Sequence, residues 1–211
     1  MRLLIASDNR KKRAELEALL APLGLELVTP SDIGGIPPVE EDQPTFTGNA
    51  ALKAASAARA SGLWALADDS GLEVDALGGE PGVRSARFAG RQGDDAANNA
   101  LLLERLRGLS PQLRGARFVC ALALARPDGS LALAVEGEAR GRILEAPRGA
   151  GGFGYDPLFL FTEQGFAQTG QPFAELTPAE KALVSHRGRA LRLLAERLGG
   201  VLERPGAAPE A

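Results

Sequence analysis

The sequence predicts an α/β protein in which helices flank a mixed central β-sheet. Before residue 110, short apolar runs alternate with segments whose leucines recur at helical spacing, as expected for strand–helix–strand units. Two apolar runs, at 116–125 and 131–138, then flank the turn-forming stretch 126–130, which indicates an antiparallel hairpin. Strand–helix–strand units combined with a hairpin make a mixed sheet, and the helices would cover both of its faces.

Three strands and three helices are predicted before the hairpin. The strands are expected at 3–6, 25–28 and 63–66. The first helix follows Ser7-Asp8-Asn9, three residue types that favour the helix N-cap, and Gly24 marks its end. The second helix, at 49–61, stops at Gly62, and Asp94 caps the third.

The hairpin is followed by a short strand at 158–161 and by C-terminal helices. Thr177-Pro178-Ala179-Glu180 predicts a helix start, because Thr177 and Glu180 can form a capping box and proline suits the first helical position. The last helix is expected to end at Gly199-Gly200. We therefore expect one domain over residues 1–200 and a flexible tail over 201–211.

Composition excludes several classes of protein. The chain has 211 residues and a formal net charge of −3, so it has no general affinity for nucleic acid or an anionic membrane. No apolar stretch approaches the ~20 residues that cross a bilayer. Cys120 is the only cysteine, which rules out an intramolecular disulfide, and its apolar neighbours predict a buried thiol. These features predict a cytoplasmic protein with no nucleic-acid or membrane partner.

Two adjacent carboxylates follow the third predicted strand. Asp68, Asp69 and Ser70 come directly after an apolar run, and Gly71 would permit a turn there. Adjacent acids repel each other, so such a pair is usually solvated or neutralised by a cation. The segment therefore predicts either a site for a hard metal ion or an ordinary polar strand-to-turn transition.

Two further segments suit a nucleotide. Residues 7–12 lie where a strand feeds a helix N-terminus, which is a natural phosphate site but also an ordinary capped helix. Residues 149–154 contain G-x-G-x-x-G, but no helix follows, so the dinucleotide fingerprint does not apply. A glycine loop ending in Phe153, Tyr155 and Asp156 still suits a planar ligand, or is a turn with core aromatics. His186 is the only histidine, which excludes multi-histidine zinc sites.

Taken together, these segments resemble the inosine triphosphate pyrophosphatase family, also called HAM1-like or noncanonical purine nucleoside triphosphate pyrophosphatases. The resemblance extends from residue 3 to about residue 198 in the family's order. The matching segments are 7–12, Glu41, Thr45-Phe46, Asn49-Ala50, Lys53, 67–72, 81–87, 151–157, Glu180-Lys181 and 185–188. The ordered set is far more specific than any one of its members.

The resemblance implies Mg²⁺-dependent cleavage of ITP, dITP or XTP between the α and β phosphates, giving a monophosphate and pyrophosphate. Asp69 would be the general base and a magnesium ligand, and Glu41 a second magnesium ligand. The implied substrate-binding residues are Ser7, Asp8, Asn9, Arg10, Lys11 and Lys12 for the triphosphate, Ser70, and Phe153, Gly154, Tyr155, Asp156, Lys181, His186 and Arg187 for the nucleoside. The implied fold has two lobes with the active-site cleft between them, commonly assembled as a homodimer.

Two positions depart from the family's pattern, and two other functions fit the same residues. Asp8 stands where the family usually has glycine, and a carboxylate there would repel a nearby phosphate. Asp8 must therefore point away, pair with Arg10 or Lys11, or weaken phosphate binding. Ala182 replaces the asparagine common after Lys181. The alternatives are a Maf-like pyrophosphatase for other modified nucleotides and a nucleotide-binding module without turnover. Clustered carboxylates disfavour the second alternative, since simple anion binding should avoid them.

Overall fold

Within the described residues, six strands form one mixed sheet. The computed structural model describes residues 2–7, 10–20 and 24–203, without the side chains of 10–12, 18, 19, 202 and 203. The strands are β1 Arg2–Ile5, β2 Glu26–Val28, β3 Trp64–Val74, β4 Gly115–Ala125, β5 Leu131–Ile143 and β6 Phe159–Phe161. Their order is β2-β1-β3-β4-β5-β6, with β1 parallel to β2 and β3 and with β5 antiparallel to β6. The predicted fold class, a mixed sheet flanked by helices, is confirmed.

Five α-helices accompany the sheet in the part of the chain that the structure describes. They are α1 Arg10–Leu20, α2 Phe46–Ser61, α3 Asp95–Arg105, α4 Pro178–Val184 and α5 His186–Glu203. The predicted Asp94 cap and the capping box of Thr177 with Glu180 are present, and Gly62 ends α2 with φ 68°. Within the described ranges, no helix is both long and apolar enough to cross a membrane.

Two predicted helix boundaries are wrong. The second helix begins three residues earlier than predicted, because the Thr45 hydroxyl accepts a hydrogen bond from the Gly48 N–H and Phe46 is buried. The last helix continues through Gly199-Gly200 to Glu203, because Leu198 is buried in the core and Val201 packs against it. Residues 204–211 lie outside the described residues.

The turn predicted at Gly71 is also wrong, because β3 continues through Asp68, Asp69 and Ser70 to Val74. Leu72 and Val74 alternate with Glu73 and are fully buried. Since alternate residues of a strand share a face, the buried pair extends the strand beyond the glycine. The two carboxylates therefore lie inside a strand rather than at its end.

The chain divides into two compact units, each with its own core. The first unit comprises the described residues of 1–69, 120–137 and 190–211, and its core includes Leu3, Ile5, Leu16, Leu66, Cys120, Leu122 and Leu194. The predicted burial of the Cys120 thiol is confirmed. The second unit comprises 70–119 and 138–189, and its core includes Leu72, Leu102, Phe118, Phe159, Phe161 and Phe173. The bounds of the two-lobed domain and the cleft between its lobes stay predictions.

Two glycines of α5 predict opposite responses to the same substitution. A Cβ on Gly188 would overlap the main-chain carbonyl of Ala182, whereas a Cβ on Gly199 would meet nothing within 4 Å. Gly188→Ala should therefore destabilise the protein by ~1–3 kcal/mol, as overpacking does. Gly199→Ala should stabilise it by up to about 1 kcal/mol, because alanine has the higher helix propensity. Urea denaturation followed by circular dichroism measures the free energy of unfolding of both variants. Equal changes of the same sign in this free energy would contradict the prediction.

Candidate active site

A buried carboxylate pair in β3 is the centre of the polar cluster in the first unit. Asp68 and Asp69 are only 2% and 6% exposed. The Asn49 amide of α2 donates a hydrogen bond to Asp69 Oδ2 at 3.0 Å, and its own oxygen accepts from the Gln43 main-chain N–H at 3.0 Å. Because both ends of this fully buried amide are used, its orientation is fixed. Asn49 therefore holds Asp69 while it anchors the segment that follows Glu41.

Lys53 supplies the positive charge of this cluster. It lies one helical turn after Asn49, with its Nζ 2.8 Å from Glu41 Oε2 and 3.9 Å from Asp69 Oδ1. Burial lowers the pKa of Lys53, but the negative charges of Asp68, Asp69 and Glu41 and the hydrogen bond to Glu41 outweigh burial and raise that pKa above its ordinary value. Lys53 is therefore firmly protonated. Counted formally, the three carboxyl groups and the one ammonium of the cluster carry a charge of −2.

The donor chemistry of this cluster fits Mg²⁺. Mg²⁺ takes hard oxygen ligands and usually combines one or two carboxylates with phosphate oxygens and water. Over the described part of the chain, no three acidic, histidine or cysteine side chains converge to form a metal cluster on their own. Glu41 and Asp69 are instead two carboxylates that share the neighbour Lys53. The residues thus suit an ion that completes its shell with phosphate and water.

Ser7 follows β1 at the level where the neighbouring parallel strand β3 carries the acidic pair. Ile5 of β1 is in register with Leu66 of β3, and the Ala6 N–H donates to the Leu66 carbonyl at 2.8 Å. Ser7 is two residues beyond Ile5, as Asp68 is two beyond Leu66. Since the carboxyl ends of parallel strands meet at one edge of a sheet, the predicted phosphate turn begins at the level of the acidic pair.

The second unit holds a compact set of aromatic and charged side chains around Phe153. Lys181 Nζ lies 2.7 Å from Asp156 Oδ2, and both residues are buried. The Phe153 N–H donates to the same carboxylate oxygen at 2.8 Å. Lys181 Nζ is 4.9 Å from the centroid of the Phe153 ring, and the Arg187 guanidinium carbon is 5.7 Å from it. An aromatic face with two cations beside it suits a planar ligand that carries hydrogen-bond acceptors.

The junction of α4 and α5 places His186 and Arg187. The Ser185 hydroxyl accepts a hydrogen bond from the Gly188 N–H at 3.1 Å, so Ser185 caps α5 directly after ending α4. The His186 ring stacks on Phe118 with a centroid distance of 4.7 Å. Arg187 is 2% exposed and donates to the Ser70 hydroxyl at 3.1 Å. Both side chains are thereby held in the first turn of a helix, where the dipole is positive.

The Tyr155 side chain, predicted to contact substrate, lies in a buried environment and bonds to the main chain. Its hydroxyl donates to the Ser85 carbonyl at 2.9 Å, and its side chain is buried. Burial, and then the negative charge of Asp95, raise the pKa of Tyr155 well above its ordinary value. The hydroxyl therefore stays neutral and fastens the glycine loop to residues 82–87.

Comparison with known proteins decides the family. A model of the Ham1 family matches residues 3–197. The chain belongs to the Ham1 family. It is 56% identical over 196 residues to a dITP/XTP pyrophosphatase of Thermus thermophilus, covering 93% of this chain and 91% of that protein. It is 47% identical over 203 residues to a dITP/XTP pyrophosphatase of Corynebacterium diphtheriae, covering 95% and 98%. A HAM1 protein from Coxiella burnetii superposes with a TM-score of 0.84 at 39% identity, covering 95% and 99%.

Within each unit, the structure brings together part of the set of residues predicted from the Ham1 resemblance. Glu41 and Asp69 share Lys53 in the first unit. In the second, contacts link Ser70, Phe153, Asp156, Lys181 and Arg187. Gly154 bonds instead to Asp95 and Asn99, Tyr155 to the Ser85 carbonyl, and His186 stacks on Phe118. Asp8 and Asn9 lie outside the described residues. Arg10, Lys11 and Lys12 form the first turn of α1, and their side chains lie outside the described residues. The catalytic, metal-binding and substrate-binding roles stay predictions.

Sequence reasoning assigned no role to Asn49 or Lys53, although both belong to the matching segments. The signal was available, because polar residues four apart on an otherwise alanine-rich helix lie on one face. Their partner Asp69 is 20 and 16 residues away in sequence, so local patterns did not identify it. Asp68 was recognised, but its burial and its effect on the pKa of Lys53 were not.

The raised pKa of Lys53 predicts a pH-dependent contribution to stability. A raised lysine pKa stabilises the fold fully below the unfolded value of 10.5, and this stabilisation is lost as pH rises through the higher folded value. Lys53→Met should therefore be clearly less stable than wild type at neutral pH, and the difference should shrink above pH 10.5. Urea unfolding midpoints of both proteins, from neutral pH to above pH 10.5, measure this stability difference.

Arg59→Met provides the matched control, since Arg59 is an exposed cation on the same helix. Arginine stays charged over this range, so the difference between Arg59→Met and wild type should not change with pH. A constant difference for Lys53→Met would contradict the prediction.

Proposed function

We propose that the protein hydrolyses the noncanonical purine nucleoside triphosphates ITP, dITP and XTP, with Mg²⁺ as its cofactor. Cleavage between the α and β phosphates releases the monophosphate and pyrophosphate, and so removes deaminated purines from the nucleotide pool. The observation that carries the proposal is the buried pair Asp68–Asp69, which Lys53 joins to Glu41 in a chain of the Ham1 family. Relatives named dITP/XTP pyrophosphatases support the substrate class.

The first unit provides the charges for phosphoryl transfer. Glu41 and Asp69 would hold Mg²⁺, with Asp68 adjacent. When bound, the ion neutralises phosphate charge and acidifies the attacking water. Asp69 would accept a proton from the attacking water, and the Asn49 hydrogen bond keeps its carboxylate in one orientation. The main-chain N–H groups at the N-terminus of α1 would favour binding of the triphosphate there.

The second unit provides the groups that recognise the base. Phe153 offers an aromatic face for stacking, and Lys181 and Arg187 lie beside that face as donors. Hypoxanthine and xanthine present a 6-oxo acceptor to such donors, whereas adenine presents an amino donor. A buried mismatch of this kind costs ~1–3 kcal/mol. The cationic surroundings of Phe153 therefore favour the deaminated purine.

We also propose a cytoplasmic homodimer without nucleic-acid or membrane partners. The net charge of −3 gives no general attraction to polyanions. Sedimentation equilibrium tests the assembly, and a monomer at micromolar concentration would contradict it.

With Mg²⁺, the purified protein should convert ITP to IMP and pyrophosphate. The kcat/KM for ITP should exceed that for ATP by about tenfold to a hundredfold, the equivalent of ~1.4–2.8 kcal/mol. A panel of ITP, dITP, XTP, ATP and modified pyrimidine triphosphates, scored for pyrophosphate, measures this preference. Asp69→Asn should lower kcat by at least ~10²-fold, as loss of a general base does, with the fold intact by circular dichroism.

Three outcomes of that panel would contradict the proposal. Formation of IDP and orthophosphate would place the attack at the γ phosphate. Preference for modified pyrimidines would favour a Maf-like enzyme, and tight binding without turnover would favour a binding module.

Arg187→Ala should narrow the gap between ITP and ATP in kcat/KM. A donor to the 6-oxo group helps only ITP, so its loss should lower the ratio of kcat/KM for ITP to kcat/KM for ATP about tenfold. Lys12→Ala, in the predicted phosphate turn, is the comparison, and it should weaken both nucleotides by a similar factor. The ratio of the two substrates cancels general destabilisation. An equal loss of ITP and ATP turnover in Arg187→Ala would assign base recognition to other residues.

A further inference from the structure

We propose that Asp95 and Asn99 of α3 are positioning residues for base recognition: together they clamp the peptide groups of Gly154 and so hold the Phe153 ring in place. The inference rests on the proposed function, because it assigns Phe153 to the base of the nucleotide. Asp95 and Asn99 both hydrogen-bond to the main chain of Gly154, the residue after Phe153, so they act on the ring through the main chain of the loop.

The clamp consists of two hydrogen bonds to one residue. The Gly154 N–H donates to Asp95 Oδ2 at 2.8 Å, and the Asn99 amide donates to the Gly154 carbonyl at 2.9 Å. Asp95 and Asn99 are four residues apart on one helix, so their side chains lie on the same face. A single helical face thus satisfies both main-chain polar groups of Gly154. Gly154 has φ 61°, a conformation that side-chain-bearing residues rarely adopt.

The clamp fixes the loop on the C-terminal side of Phe153, and a second contact fixes the other side. The Phe153 N–H is held by Asp156, whose same oxygen pairs with Lys181. Tyr155 is fastened to the Ser85 carbonyl. The ring between these points lies 4.9 Å from Lys181 Nζ and 5.7 Å from the Arg187 guanidinium carbon.

A loop with this composition needs such external support. Four of the six residues from 149 to 154 are glycines, and glycine loses more conformational freedom on ordering than any other residue. If the loop were loose in the unbound protein, nucleotide binding would have to order it, and affinity would fall accordingly. Loosening the clamp should therefore raise KM for the base-bearing substrate. The rate of the chemical step at Asp69 should change little.

The test compares Asn99→Ala and Asp95→Ala with two matched variants. Asp95→Asn retains an acceptor oxygen for the Gly154 N–H and should restore near-wild-type behaviour. Glu104→Ala removes an exposed charge on the same helix and should have no effect. For each Ala variant of the clamp, KM for ITP should rise about tenfold while kcat stays within about threefold. Inhibition by pyrophosphate, which has no base, should be unchanged.

Hydrogen exchange measured by NMR gives a readout that does not depend on turnover. The Gly154 amide should exchange faster in both Ala variants and at the wild-type rate in Asp95→Asn. Unchanged Gly154 exchange, or an unchanged KM, would overturn the inference. A higher KM accompanied by a lower kcat and weaker inhibition by pyrophosphate would also overturn it, because these changes together indicate a general structural defect.

Failure of the proposed function is distinguishable from failure of the clamp. If wild-type protein does not hydrolyse ITP, the proposed function fails, and calorimetric binding of IMP replaces KM as the measurement. Weaker IMP binding in Asn99→Ala than in Glu104→Ala would then support the clamp. Equal binding in these two variants, or no binding of IMP to wild type, would overturn it.

Discussion

The neutralisation of buried carboxylates is the constraint on which both polar clusters depend. An ionised carboxylate in a protein interior is costly unless it is paired and hydrogen-bonded. Asp69 meets this requirement through the Asn49 amide and the nearby Lys53 ammonium. Lys53 in turn is held by Glu41. One helix, α2, thus supplies the compensating groups for a strand that would otherwise be destabilised by two adjacent negative charges.

The second unit meets the same constraint with a single lysine. Asp156 is 2% exposed, and it accepts hydrogen bonds from the Lys181 ammonium and from the Phe153 N–H. The pair has a geometric consequence, because the lysine that neutralises Asp156 also comes to lie over the Phe153 ring. Electrostatic compensation and the proposed base recognition therefore use the same side chain. Replacing Lys181 would affect both, which makes it a poor probe of either role alone.

Local sequence signals predicted the elements with strong boundary chemistry. The caps at Asp94 and Thr177 and the glycine stop at Gly62 are decided within a few residues of chain, so the sequence is sufficient. The errors arose where tertiary packing overrides a local signal. Gly71 resembles a turn residue, yet the burial of Leu72 and Val74 continues the strand.

The same contrast between local sequence signals and tertiary contacts applies to the candidate site. The ordered motifs located most of its residues, because a family resemblance includes long-range information that periodicity lacks. The pairing of Asn49 with Asp69 was not predicted, since it joins a helix and a strand that no local pattern connects. The link from Asn99 to Gly154 spans 55 residues and was missed for the same reason.

Close approach, more than flexibility, explains two glycines of the matching segments. A Cβ on Gly152 would overlap the Asp156 carboxylate, and the φ of Gly152 is 74°. Any side chain there would displace the partner of Lys181 as well as strain the main chain. Gly188 plays a comparable part, since its missing Cβ leaves room for the Ala182 carbonyl where α4 meets α5. At position 182 the main chain makes this contact, so alanine in place of the usual asparagine leaves the junction that places Arg187 intact.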